Sequence, residues 1–131
     1  MHLSIITPEQ TVMESDNARH VLLPAENGEL GILEGHIPMV CSLDIGQVRV
    51  DLADKSIVLA TSGGFVEVAD DRVVVLAETA EKAEDIDVER ARRAKDRARE
   101  RLETRDADLD EARARAALLR AINRLEVAEQ E

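Results

Sequence analysis

The sequence predicts a mainly β protein with an α-helical appendage. An N-terminal antiparallel β-sandwich, or flattened barrel, is expected over residues 1–84, and a C-terminal two-helix antiparallel hairpin over residues 85–131. Two contrasts carry this reading. All six glycines and all three prolines precede Glu84, where they punctuate short runs rich in β-branched residues. Beyond the link Glu84-Asp85-Ile86-Asp87-Val88-Glu89-Arg90-Ala91, the composition turns to Ala, Arg, Glu and Leu, and apolar residues recur at helical spacing.

The β part reads as a series of short strands. Leu3 to Thr7 is an apolar run closed by Pro8. Residues 18–23 and 30–33 are two further segments, divided by the turn-forming Glu26-Asn27-Gly28-Glu29. A strand from Ile37 to Leu43 follows Gly35-His36. From Gln47 to Ala53 the alternation is strict, with Val48, Val50 and Leu52 on one face and Arg49 and Asp51 on the other, which marks a half-buried strand. Ser56 to Thr61, Gly64 to Val68 and Arg72 to Ala77 continue the series, with Gly63-Gly64 as a corner and Asp70-Asp71 as a hairpin turn. The spacing leaves no room for crossover helices, so the sheet should be mainly antiparallel.

Asp87 suits a helix N-cap, because its carboxylate can accept a bond from a free amide of the first turn. Ala91, Ala94, Ala98 and Leu102 then form a narrow stripe of mostly small side chains. A break is expected near Thr104-Arg105-Asp106-Ala107, and Asp108 with Glu111 resembles a capping box that opens a second helix. Its apolar face is expected through Leu109, Ala112, Ala116 and Leu119, together with Leu118, Ile122 and Leu125. Burial of Ala contributes far less than the roughly 1.5–3 kcal/mol of a buried Leu or Val. A hairpin held mainly by alanine contacts should therefore dock weakly and be detachable.

Composition excludes several classes of function. Phe65 is the only aromatic residue, so the core must be aliphatic and few rings are left to stack on bases. The net charge is −11, with 4 basic and 13 acidic residues in the first 80, which argues against nucleic acid as a partner. Cys41 is the single cysteine, expected as a small buried hydrophobe, and no disulfide within the chain is possible. The first residues lack the pattern of a signal peptide, and no apolar run approaches the roughly 20 residues that cross a bilayer. The chain is expected to be soluble, with membrane association only through partners.

Catalysis has no visible constellation. The 28 acidic residues are scattered over surfaces and turns, and no Ser/His/Asp or Cys/His grouping is present. His2, His20 and His36 show no ligand spacing with Cys41, so no metal site is expected. The arginines of the hairpin are the sharpest candidates. Arg90 and Arg97 share one helix face and Arg120 and Arg124 another, so an antiparallel hairpin could bring them to one polyanion. Spacing alone favours the alternative, ordinary ion pairs with neighbouring acids.

Three stretches resemble the epsilon subunit family of bacterial F-type ATP synthases: Gly28-Glu29-Leu30-Gly31-Ile32-Leu33-Glu34-Gly35-His36-Ile37-Pro38, Ser62-Gly63-Gly64-Phe65-Val66-Glu67-Val68, and Ile86-Asp87-Val88-Glu89-Arg90-Ala91. They stand in the family's order and spacing, and the resemblance covers essentially the whole chain. It implies a non-catalytic subunit of the rotating central stalk of a proton-translocating synthase. The sandwich would grip the gamma subunit and sit on the ring of c subunits. The hairpin would fold against the sandwich or extend along gamma into the alpha/beta catalytic hexamer, where it inhibits ATP hydrolysis. The place implied is the cytoplasmic face of the bacterial cell membrane, held peripherally.

The resemblance also implies site residues. Glu29 and His36 are expected to face the c ring. Ile86, Asp87, Arg90 and Ala91 match the family's nucleotide motif, supported by Glu81, Arg97, Arg120 and Arg124. On this expectation no cofactor is required and ATP is a regulatory ligand of the folded hairpin. Glu81 and Asp87 would serve adenine or ribose, and the arginines the phosphates. The competing readings are a small nucleotide-sensing module that works alone, which co-purification with gamma would exclude, and, more remotely, an enzyme.

Overall fold

Gly64 sits at the centre of the architecture. It has φ +131°, and a Cβ there would lie 2.0 Å from the Leu76 carbonyl oxygen, so no side chain fits. The computed structural model describes residues 1–36 and 38–129. Its strands are β1 (His2–Ile6), β2 (Thr11–Ser15), β3 (His20–Ala25), β4 (Gly28–Leu33), β5 (Met39–Asp51), β6 (Ser56–Ala69), β7 (Arg72–Ala77) and β8 (Ala80–Lys82). A 3-10 turn (Ala83–Asp85) leads into helices α1 (Val88–Thr104) and α2 (Glu111–Ala128).

The strands are ordered β2-β1-β7-β6-β5-β3-β4, with β8 paired to β6 beside this path. All pairings are antiparallel except β1 with β7, which run parallel. The β-sandwich followed by a helical hairpin is thus the fold that the sequence predicts. Between the layers lies an aliphatic core that includes Leu3, Ile5, Val21, Leu23, Ile32, Val48, Leu59, Val66 and Val75, each fully buried. Alternation decides which residues enter it. Val48 and Val50 point inward, while Arg49 between them is exposed.

Several expected boundaries are corrected. The two segments around Cys41 and Val50 are one strand, β5, and those on either side of Gly63-Gly64 are one strand, β6. The glycines kink β6 without ending it, because the ladder to β5 resumes past Gly63. The expected strand start at Ile37 lies outside the described residues. Two strands, β2 and β8, carried too few alternating residues to be recognised. Gly28 and Glu29 belong to β4, not to the turn, since Ala25 pairs with Gly28 and Pro24 with Glu29. Cys41 is only half-buried against the core, and its thiol donates to the Ser42 carbonyl at 3.3 Å. Asp70 and Asp71 do form the hairpin turn, both with positive φ.

In the hairpin, Asp87 caps α1 by accepting from the Arg90 amide at 3.0 Å. The second cap is Asp110, which accepts from Arg113, and not Asp108. Leu109 therefore precedes α2, and Ala112 and Leu119 point to solvent. The buried side of α2 runs instead through Ala114, Ala121, Asn123 and Val127. Helix α1 packs on α2, whereas α2 lies against β5, β6 and β8. The alanines buried on α1, Ala91 and Ala98, thus line the helix–helix seam and do not dock the hairpin on the sandwich.

A polar network closes the far end of the β5–β6 ladder. Asp51 Oδ1 accepts from the Ser56 hydroxyl at 2.6 Å and from Arg49 Nε at 3.0 Å, and Oδ2 lies 3.2 Å from His20 Nδ1. These partners, led by Ser56, hold the carboxyl at about 2, below its ordinary 3.8, against the opposing cost of partial burial. A depressed carboxyl stabilises the fold fully above its unfolded value, and that contribution disappears as pH falls through about 2. Asp51→Asn should lower stability near neutral pH by about 1 kcal/mol, since the charged hydrogen bonds are partly solvated. Denaturant titrations of both proteins should converge as the medium is acidified from about 4 to about 2. A gap that stays constant over that interval would show that the network does not act through charge.

Candidate functional site

The segment from Thr79 to Asp87 runs beneath the C-terminal half of α2. β8 pairs with β6 through Ala80–Thr61, Glu81–Ala60 and Lys82–Leu59, which turns Glu81 toward the hairpin. Glu81 Oε1 accepts from Arg124 Nε at 2.6 Å, and Arg124 Nη2 reaches Thr79 Oγ1 at 3.5 Å. The Thr79 hydroxyl is hydrogen-bonded in turn to that of Ser62. Both Glu81 and Arg124 keep about a third of their side chains in water (32% and 27%), so the pair is screened by salt and modest in strength.

Ile86 follows the 3-10 turn and is buried with Val127 and Ala60, flanked by Val58, Ala83 and Ala128. This contact sets the start of α1 beside the end of α2, as an antiparallel hairpin requires. Next to it is a buried polar residue. Asn123 Nδ2 donates to the Gly46 carbonyl at 2.8 Å and to the Thr61 carbonyl at 3.4 Å, while Thr61 Oγ1 donates to Gly46 O at 3.1 Å.

The residues implied for a nucleotide are thus partly gathered. Glu81, Ile86 and Arg124 belong to the region where β8, the start of α1 and the end of α2 meet, with Ala91 buried in the first turn of α1 and Arg120 one turn before Arg124 on α2. Asp87 also lies there, with Oδ1 engaged as the α1 cap. The guanidinium groups of Arg90, Arg97 and Arg120 make no ion pair among the described residues, unlike those of Arg92, Arg105 and Arg115. Arg97 is two turns further along α1 than Arg90, away from Glu81. The chemistry on offer is the Arg124 guanidinium on the Glu81 carboxylate, with further guanidinium groups carried by both helices, a set suited to an anion that also carries neutral polar groups. Among the described residues, no cluster of three His, Cys, Asp or Glu side chains could hold a metal ion.

Glu29 and His36 are not brought to one point. Glu29 is exposed near the start of edge strand β4, and half-buried His36 follows its end. Exposed Leu33 and Glu34 lie between them, so any contact here would run along the edge. A second surface feature is apolar. Phe65 and Leu76 are paired across β6 and β7 and about half exposed (56% and 47%), and they line a groove with Ile6, Pro8, Gly64 and Ala77. Sequence reasoning missed Thr79, Ser62 and Asn123. The one signal for Asn123 was a polar residue interrupting an apolar helical stripe.

Comparisons with known proteins agree over residues 1–129. Residues 1–83 match the family model of the ATP synthase delta/epsilon chain β-sandwich domain, and residues 84–129 that of its long α-helix domain. An ATP synthase epsilon chain of Desulforamulus reducens is 49% identical over 127 residues, covering 97% of this chain and 96% of the relative. One from Staphylococcus aureus is 46% identical over 129 residues, covering 98% and 96%. The fold is also similar to a chain in the cryo-EM structure of the Euglena gracilis mitochondrial ATP synthase. There the TM-score is 0.76 at 23% identity, over 98% of this chain and 80% of that one.

The local role of Asp87 can be separated from any role toward a ligand. Asp87→Ala should remove a cap worth about 1 kcal/mol and speed amide exchange in the first turn of α1 about fivefold. Asp87→Ser, which also caps, should restore most of the protection. Equal exchange in all three proteins would show that the cap contributes nothing.

Proposed function

Because the chain belongs to the ATP synthase delta/epsilon family, we propose that it is a non-catalytic central-stalk subunit whose hairpin restrains ATP hydrolysis. The observation that carries the regulatory part is how little holds the hairpin down. The buried apolar cluster that it shares with the sandwich side is small: Val127 against Ala60 and Ile86, with Val58, Ala83 and Ala128 at the rim. At roughly 1.5–3 kcal/mol for a fully buried Val or Ile, docking is a matter of a few kcal/mol. The hairpin can therefore exchange between a docked form and an extended form that reaches the alpha/beta hexamer.

The groove of Phe65, Leu76, Ile6 and Pro8 supports gamma as the partner of the sandwich. An exposed aromatic and aliphatic patch on an otherwise acidic body fits a permanent protein contact. The edge bearing Glu29, Leu33 and His36 is left for the c ring, and the subunit is held peripherally at the membrane through that ring. No helix among the described residues is long and apolar enough to cross a bilayer. Removing every residue after Glu84 should leave assembly with gamma intact and raise ATP hydrolysis by the complex severalfold. Hydrolysis that does not change on truncation would exclude inhibition by the hairpin.

ATP is the proposed ligand of the docked form. Its phosphates would meet Arg90, Arg120 and Arg124, with Arg97 at the far end, while Glu81 and Asp87 serve adenine or ribose beside Ile86 and Ala91. A ligand held by both helices stabilises only the docked arrangement, by about 2.7 kcal/mol at 100 times its dissociation constant. That rivals the docking energy itself, so falling ATP would release the hairpin and stop further consumption. Arg120→Ala and Arg124→Ala should each weaken ATP binding about tenfold without unfolding the sandwich. Calorimetry on the isolated subunit decides this: no heat at millimolar ATP, with no shift in melting temperature, would remove the nucleotide from the mechanism.

A further inference from the structure

We infer that Asn123 is the positioning residue of the docked hairpin, a buried donor that sets where α2 sits on the sandwich before any ligand binds. This rests on the reading of a detachable hairpin. Asn123 is 8% exposed and bonded to a strand pair far from it in the chain, Gly46 of β5 and Thr61 of β6. Both groups that it meets are carbonyl oxygens, so the amide nitrogen must be the atom facing them. Their place is fixed independently of the hairpin. A Cβ on Gly46 would lie 2.6 Å from Pro24 Cβ, and Thr61 Oγ1 already ties its own strand to Gly46.

The rest of the interface cannot set the register. Alanines and single aliphatic contacts tolerate sliding, and the Arg124–Glu81 pair is partly solvated. A slip of four residues along α2 would bring Leu119 or Val127 over the two carbonyls, and neither carries a donor. Such a slip loses both amide bonds and lays an apolar side chain on the Thr61 carbonyl, although Gly46 O keeps its bond from Thr61 Oγ1, so slipped arrangements are disfavoured. Undocking has no such penalty, because water then reaches both oxygens. A buried amide of this kind selects one docked arrangement without making it permanent, as a single buried Asn does in a coiled-coil seam. In the selected register Arg124 reaches Glu81, and Arg120 lies one turn before it.

Hydrogen exchange on the full-length chain, without nucleotide or partner, tests this. Asn123→Asp keeps the shape and turns a carboxylate toward two carbonyl oxygens. Asn123→Leu keeps the bulk and adds apolar surface. Both should speed exchange of α2 amides about tenfold or more while amides of β5 to β7 stay within about twofold. If Asn123→Leu protects α2 as well as Asn does, apolar burial alone docks the hairpin and the inference fails. It fails equally if exchange rises in β5 to β7 as well, since Asn123 would then belong to the core of the fold. Neither failure touches the truncation result, which reads inhibition in the assembled complex.

Discussion

The close approach of β6 to β7 at Gly64 is the constraint on which the rest of the molecule depends. A side chain at that position would overlap the Leu76 carbonyl, and its absence lets β6 bend without leaving the ladder with β5. One strand then serves two neighbours. The half after the kink pairs with β7, and the half before it pairs with β8. The same half presents the Thr61 carbonyl to α2 and the Ser62 hydroxyl to Thr79. Straighten β6, and β8 has no seat, Glu81 has no fixed direction, and α2 has no surface shaped to receive it.

The hairpin is packed more extensively within itself than against the sheet. Its alanine seam lies between α1 and α2, while only α2 makes the main contact with the sandwich. Small side chains let two helices approach closely over several turns, so the internal contact is long even though each alanine contributes little. The external contact is short and partly polar. The weakest boundary in the molecule is therefore the one between hairpin and sheet, and separation there leaves both parts internally intact.

Local signals in the sequence were read well and distant ones poorly, for physical reasons. Asp87 was legible as a cap because a capping bond spans three residues. Asp108 misled because Glu111 stands at capping-box spacing from it, while Asp110, which caps α2, lies next to that glutamate. β5 and β6 were divided because glycine usually interrupts strands, and only the tertiary ladder shows that pairing continues through the kink. The parallel pairing of β1 and β7 leaves no local pattern at all. At the candidate site, the motif from Ile86 to Ala91 was legible by resemblance. Asn123 was not, because its partners are main-chain carbonyls that every residue possesses.

The parallel contact between β1 and β7 has a consequence for biosynthesis. His2 pairs with Arg72 and Ile6 with Leu76, so β1 leaves the ribosome about 70 residues before the strand that covers its inner edge. Such sequence-distant pairing slows closure of a β domain, and the nascent chain must keep an apolar strand out of other associations meanwhile. The helices emerge after β7, and their seat on β5, β6 and β8 exists only once the sandwich has closed. Order of synthesis thus favours an order of assembly in which the body forms first and the hairpin is added to its surface.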